Sequence, residues 1–284
     1  MTLQSYRREI ATLKARHAQR LRPRAPYTLT PLELFERTIG GAPDAWQAEC
    51  LTSASRQIIL NCTRQAGKSA GMAVLGVDTL LSRPNALVVV TSGSERQSKE
   101  LLRTMVGIYR ACGQGPRLIR PPSSTYMELI NGSRAIALPT NAATVRGFSK
   151  ASLVLIDESA YVPDPLYRAL RPMLAVSGGR IVLASTPFGR RGYFYQEWSE
   201  GGPDWHRISV AADQIARIPP AFLEAERRAL GDIWFSQEYF CAFVENLFAV
   251  FSFESVMRAL SDDVVPLDMR KERSGWEPIH SALI

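Results

Sequence analysis

Seven consecutive residues, Thr63-Arg64-Gln65-Ala66-Gly67-Lys68-Ser69, combine the residue types that hold a phosphate chain. In a loop of the pattern G-x-x-x-x-G-K-[ST], backbone N–H groups cradle phosphate oxygens. The lysine meets the terminal phosphates and the hydroxyl ligates Mg2+. Gly67-Lys68-Ser69 supplies the second half of that pattern, whereas Cys62 stands where its first glycine belongs. Alone, Gly-Lys-Ser is a common tripeptide, and its setting gives it weight. The apolar run Ile58-Ile59-Leu60 precedes it, and the small residues Ala70, Gly71 and Ala73 follow. The loop therefore falls where a strand hands over to the anion-binding N-terminus of a helix. Arg64 lies inside the loop, either within reach of a terminal phosphate in cis or as a surface or structural arginine.

About 90 residues later, Ala151-Ser152-Leu153-Val154-Leu155-Ile156-Asp157-Glu158 reads as an apolar strand ending in two carboxylates. Open parallel sheets bind ligands beyond the carboxyl ends of their strands. That rule puts Asp157 and Glu158 at the edge that carries the phosphate loop. Asp157 suits Mg2+, through water or together with Ser69, and Glu158 suits a general base that polarises an attacking water. Side chains alternate along a strand, so the two carboxylates diverge and can do separate jobs. Ile181–Pro187 is another strand, and its end at Ser185 and Thr186 either senses the terminal phosphate or is a plain exit into a loop. Arg146, in Thr144-Val145-Arg146-Gly147, precedes the acidic strand. It is either an arginine finger for its own or a neighbouring subunit's nucleotide, or a structural arginine. Gln47 offers a donor and an acceptor to an adenine edge, with Trp46 beside the base. The alternative is a core tryptophan next to an ordinary helical glutamine.

Such residues need elements to hold them. Thr30-Pro31 opens a short helix over residues 31–40, with Thr30 as cap and Pro31 at the first helical position. Pro43-Asp44-Ala45-Trp46-Gln47 begins another. The chain then alternates: strand Arg56–Cys62, helix Ala70–Leu81, strand Ala86–Thr91 and helix Glu95–Cys112. Thr125–Ile130 and Arg134–Leu138 flank the hairpin turn Asn131-Gly132. Strands separated by helices imply a mostly parallel sheet covered on both faces. After Trp205–Val210 the character changes, and Pro219–Leu230 and Trp234–Phe243 read as helices. The segment after Phe248 has weak periodicity and carries no repeat or low-complexity tract.

Bulk composition narrows the classes. With 284 residues and 46% hydrophobic residues, the chain can bury one sizeable α/β core. Cys50, Cys62, Cys112 and Cys241 show no C-x-x-C spacing, and there are three histidines, which argues for reduced thiols and against zinc. No run of about 18 apolar residues predicts a membrane span, and no signal peptide is expected, so a cytoplasmic location is expected. Residues 1–24 hold seven basic residues against Glu9, a net +6 of the chain's +7. This arm, read as an amphipathic helix ended by Pro23 and Pro26, meets phosphate or an acidic partner, or is a solvated face.

Together these pieces resemble the terminase large subunit family. The resemblance rests on Trp46-Gln47, the loop Arg64-Gln65-Ala66-Gly67-Lys68-Ser69, Arg146-Gly147, the strand Leu153–Glu158 and Ser185-Thr186-Pro187. The R-Q-x-G-K-S form without the first glycine is its most specific sign. It spans about residues 40–250. The resemblance implies a P-loop, RecA/ASCE-like α/β sheet flanked by helices, with a small helical lid. It also implies an ATP- and Mg2+-using motor that packages double-stranded DNA from a host cell's cytoplasm, infected or lysogenic. The implied partners are a portal protein, a small terminase subunit and copies of itself in a ring. Residues 1–40 then form a basic arm and lid helices, 41–211 the ATPase core, 212–248 a helical closing segment and 249–284 a linker-like tail. The stretch Glu238–Phe243 is similar to the family's closing segment. A complete nuclease domain is not expected, because Asp262, Asp263 and Asp268 lie in no recognisable sheet.

Two other classes compete. A helicase-like ATPase would share the glutamine motif and the acidic pair, but one core is visible where two are usual. A prophage remnant acting as a binding protein would keep the residues without turnover.

Overall fold

The computed structural model describes residues 24–141, 145 and 147–244. The expected helix before Arg24, the finger candidate Arg146 and the tail after Val244 lie outside the described residues. Seven strands form one sheet: β1 (Gln57–Cys62), β2 (Leu87–Ser92), β3 (Tyr126–Glu128), β4 (Arg134–Ala137), β5 (Leu153–Asp157), β6 (Arg180–Ser185) and β7 (Trp205–Val210). Their order is β3-β4-β2-β5-β6-β1-β7. Every neighbouring pair is parallel except β3 with β4, which is the hairpin read from Asn131-Gly132.

Residue alternation explains why this sheet has two covers. Ile58, Leu60, Val88, Val90, Leu153, Leu155, Val182 and Ala184 point to one layer. There they meet Met72 and Leu80 of α3 (Lys68–Ser82) and Leu102 and Met105 of α4 (Glu95–Cys112). That layer also holds Leu34 of α1 (Pro31–Phe35) and Cys50 of α2 (Ala45–Thr52). Ile59, Val89, Val154, Ile156, Ile181 and Leu183 point the other way. They meet Leu166 and Leu170 of α5 (Asp164–Leu170) and Phe194 of α6 (Gly192–Ser199). Strands buried on both faces read as continuous apolar runs, as Val88-Val89-Val90 does. Each buried Val, Leu or Ile contributes roughly 1.5–3 kcal/mol relative to exposure.

Three local features refine the sequence reading. Thr30 and Glu33 form the capping box of α1, with Glu33 N donating to Thr30 Oγ1 at 3.2 Å and Thr30 N to Glu33 Oε2 at 2.7 Å. The expected helix over 31–40 is α-helical only to Phe35 and then widens into a π turn over Glu36–Gly40. The two helices read after Pro219 are one path, α7 (Pro220–Phe240), kinked at Gly231, whose φ of 75° and ψ of 162° are not helical. Helices α5 and α6 add to what periodicity predicted.

Candidate active site

Parallel strands deliver their carboxyl ends to one edge, and register places the chemistry there. Asp157 lies level with Ser92 of β2 and Ala184 of β6, and Asn61 lies level with Ser185. The phosphate loop leaves β1 at this edge. Gly67, at φ 90°, is the left-handed N-cap from which α3 starts at Lys68. Gln65 also has positive φ, at 60°. A cavity of about 550 Å3 opens over the loop, lined by Arg64 through Ala70 with Gly93, Gln97, Glu158 and Tyr161. That size falls within the range of small-molecule sites.

Within it, Lys68 is 7% exposed, and its Nζ donates to the carbonyls of Cys62 and Thr63 at 3.2 and 3.3 Å. Ser69 Oγ donates to Asp157 Oδ2 at 2.7 Å, joining α3 to the end of β5. The other oxygen of Asp157 accepts from the Glu158 backbone N–H at 3.0 Å. Glu158 leaves the strand in the left-handed region, φ 47° and ψ 46°, an unusual state for a glutamate. Burial pushes its carboxyl above the usual range, Asp157 adds to this, and Lys68 and Arg64 oppose it. Perturbed carboxyls in a cleft are the expected form of acid–base groups. Ser185 Oγ reaches Glu158 Oε2 at 3.5 Å, and both Ser185 and Thr186 are buried.

A serine hydroxyl beside one carboxylate is an oxygen donor set suited to Mg2+, which takes few protein ligands and completes its shell with phosphates and water. Among the described residues no cluster of three or more His, Cys, Asp or Glu exists that would instead form an all-protein metal cage.

The remaining expected residues divide. Gln47 touches the phosphate loop: its Nε2 donates to Gly67 O at 3.2 Å, while its Oε1 accepts from Asp44 N at 2.9 Å. Trp46 packs in the core layer at 8% exposure. Arg64 forms an ion pair with the nearly buried Glu238, which raises its pKa further. Residues 142–144 and Arg146 lie outside the described set.

Sequence reasoning missed the braces around the loop. Arg217, after β7, donates to the carbonyls of Gln65 and Ala66 and pairs with Asp44 at 2.8 Å. The end of α7 is fastened to the loop's first residues. Asn61 Nδ2 donates to Cys241 O at 2.9 Å, and Thr63 Oγ1 donates to Glu238 O at 3.2 Å. Gly93 and Gln97 were accessible to inference, since they follow the carboxyl end of β2. Nothing local marks Arg217 or Glu238, whose partners lie more than 150 residues away.

A parallel sheet with a phosphate loop after β1, and with β6 between it and the acidic strand, defines a P-loop nucleotide-binding fold. The family model "Terminase large subunit, T4likevirus-type, N-terminal" matches residues 59–257. That is more than half of the chain, and the protein belongs to this family. Among solved structures, the large terminase ATPase domain of Thermus phage P74-26 is similar, with TM-score 0.65 and 21% identity. That match covers 76% of this chain and all of the other. The large terminase of another thermophilic bacteriophage, in complex with ADP, aligns with TM-score 0.58 and 13% identity over 77% of this chain and 54% of its own. The bacteriophage HK97 large terminase aligns with TM-score 0.54 and 18% identity over 71% of this chain and 48% of its own. The chain thus spans about half the length of those two terminases. No curated protein matches it. No described helix is long and apolar enough to cross a membrane.

Proposed function

We propose that this protein is the ATP-hydrolysing motor subunit of a viral DNA-packaging terminase. The observation that carries the reading is the Ser69–Asp157 hydrogen bond facing Glu158 across one cavity, with the phosphate loop as its floor. In this reading Lys68, with the loop N–H groups of residues 63–69, holds the phosphates. Ser69 and Asp157 hold Mg2+, which neutralises charge on the phosphate oxygens when bound. Glu158 accepts a proton from water as the water oxygen attacks the γ-phosphorus and the bond to the β-phosphate oxygen breaks. Arg64 and Arg146 stabilise charge on the transferring group, Trp46 and Gln47 serve the adenine end, and Ser185 and Thr186 pass on its loss.

The partners follow from the same reading: double-stranded DNA, a portal protein, a small terminase subunit and a ring of copies. Charge distribution supports a DNA-facing side. Residues 95–134 carry seven arginines and lysines against three glutamates, a net +4. Arg96, Arg103 and Arg110, spaced seven residues apart on α4, are exposed on one face of that helix. The proposed domain plan keeps 1–40 as arm and lid helices, 41–211 as core, 212–248 as closing segment and 249–284 as tail.

The test is steady-state phosphate release with Mg-ATP, for the wild-type chain and Glu158→Ala, with and without double-stranded DNA. Turnover that Glu158→Ala abolishes while retaining nucleotide binding is expected. Equal turnover in both would remove Glu158 from its role.

A further inference from the structure

Glu158 owes its position to more than the strand it ends. A glutamate in the left-handed region persists only where its surroundings over-determine the backbone. The next residues, Ser159–Tyr161, form a single 3-10 turn closed by Tyr161 N donating to Glu158 O at 2.9 Å. Two side chains of this turn reach the same foreign stretch, the loop after β6. Ser159 Oγ and Tyr193 Oη share a buried hydrogen bond of 2.7 Å. The Tyr161 ring lies 4.5 Å from Phe188, and the Arg191 guanidinium sits 4.0 Å from the Phe188 ring centre. Tyr161 also lines the nucleotide cavity, and its Cβ lies against Gly93. The Phe188 stretch is itself tied outward. Gly189 N donates to Gln237 Oε1 at 3.0 Å, and Arg190 Nε donates to Phe243 O at 3.1 Å.

We propose that the Tyr161–Phe188–Arg191 stack, with the Ser159–Tyr193 bond behind it, is the joint between the catalytic carboxylate and the loop after β6. Tyr161 is a positioning residue in this joint, acting through Glu158. The proposal rests on the reading of Glu158 as the base. It is distinct from the roles given to Ser185 and Thr186, which face the cavity from inside β6. The joint works through ring packing: an aromatic pair with a cation on its outer face holds its geometry in a way an aliphatic contact does not.

The experiment compares Tyr161→Ala, Tyr161→Leu and Tyr161→Phe with wild type. It measures kcat for Mg-ATP hydrolysis and, separately, affinity for a fluorescent non-hydrolysable ATP analogue. Losing the stack should lower kcat about three- to tenfold in the Ala and Leu variants. Analogue affinity should stay within about twofold, and Tyr161→Phe should hold near wild-type kcat. Phe188→Ala should reproduce the loss, and the double variant with Tyr161→Ala should be no slower than either alone. Tyr161→Leu covers a Tyr161→Ala that does not fold. Wild-type kcat in Tyr161→Leu, a Tyr161→Phe as slow as Tyr161→Leu, or additive losses in the double variant would each overturn the joint. A wild-type chain without turnover overturns the ATPase reading and the joint with it. Wild-type turnover that Tyr161→Leu leaves unchanged overturns the joint alone.

Discussion

Replacing Glu158 should stabilise the fold while stopping its chemistry. Two costs meet at this residue. Its left-handed backbone, φ 47° and ψ 46°, costs an ordinary L residue roughly 1–2 kcal/mol. Its carboxyl is pushed upward mainly by burial, and the attraction of Lys68 does not cancel that push. The sign follows from linkage. With the folded-state pKa raised, the stabilising contribution is fully present below the ordinary glutamate pKa and is lost as pH rises through the raised value. Glu158→Gln removes the charge and keeps the backbone strain. Glu158→Asn removes the charge and, because asparagine tolerates this region, part of the strain as well. At about pH 8 the melting order should be Asn above Gln above wild type. The Asn–Gln gap, worth about 1 kcal/mol, corresponds to about 2–4 °C. Toward about pH 5 the gap between Gln and wild type should narrow as the native carboxyl takes up its proton. Circular-dichroism melts at both pH values, with phosphate release assayed on the same samples, measure all of this. A Glu158→Gln protein that melts below wild type at the higher pH would mean that attraction to Lys68 and Arg64 outweighs desolvation, and the reasoning would fail.

The loop and its braces give further tests. Gly67→Ala puts a side chain at φ 90° with its Cβ 2.8 Å from Gln47 Nε2. A strain of about 1–2 kcal/mol should weaken an ATP analogue about five- to thirtyfold in titration calorimetry, and unchanged affinity would mean that the loop does not keep this shape. Arg217→Ala removes the bonds to Gln65 and Ala66 and the Asp44 pair. A loss of about tenfold in analogue affinity is expected, with little recovery in Arg217→Lys, since an ammonium cannot span these partners; full recovery would make Arg217 a mere charge. Ser69→Ala deletes the 2.7 Å bond to Asp157 and the proposed metal ligand. The Mg2+ concentration for half-maximal hydrolysis should rise about tenfold while metal-free nucleotide affinity holds, and an unshifted Mg2+ curve would dismiss the ligand.

The strand–turn–helix around Gly67-Lys68-Ser69 and the apolar strand into Asp157-Glu158 were legible because local pattern determines them. Helix α4 matches its sequence reading at both ends, since Ser94 caps it and Gly113 closes it in the left-handed region. The strand order was not legible: hydrophobic alternation says that β6 is buried on both faces, not that it lies between β1 and β5. Helix α5 is seven residues long, and the stretch from Phe188 to Tyr193 reads as glycine- and arginine-rich loop, so periodicity had too little to work on. Asp157 and Glu158 do diverge, but alternation is not the whole reason. The left-handed turn at Glu158 adds a rotation that no side-chain period encodes. Trp46 and Gln47 were read as a pair, yet the helix turns one into the core and the other onto the loop.

The bonds from Asn61 and Thr63 to Cys241 and Glu238 join residues 180 and 175 positions apart. On a ribosome adding about 5–20 residues per second, roughly 10–35 s separate the synthesis of the phosphate loop from that of the helix end that braces it. During that interval Asn61, Thr63 and Arg64 have no distant partner to fix them, and ordering the loop must wait for a closure of high contact order. The nascent chain therefore acquires its sheet before it acquires its site. Nucleotide capture becomes a late event in the life of each molecule, timed by the emergence of Cys241.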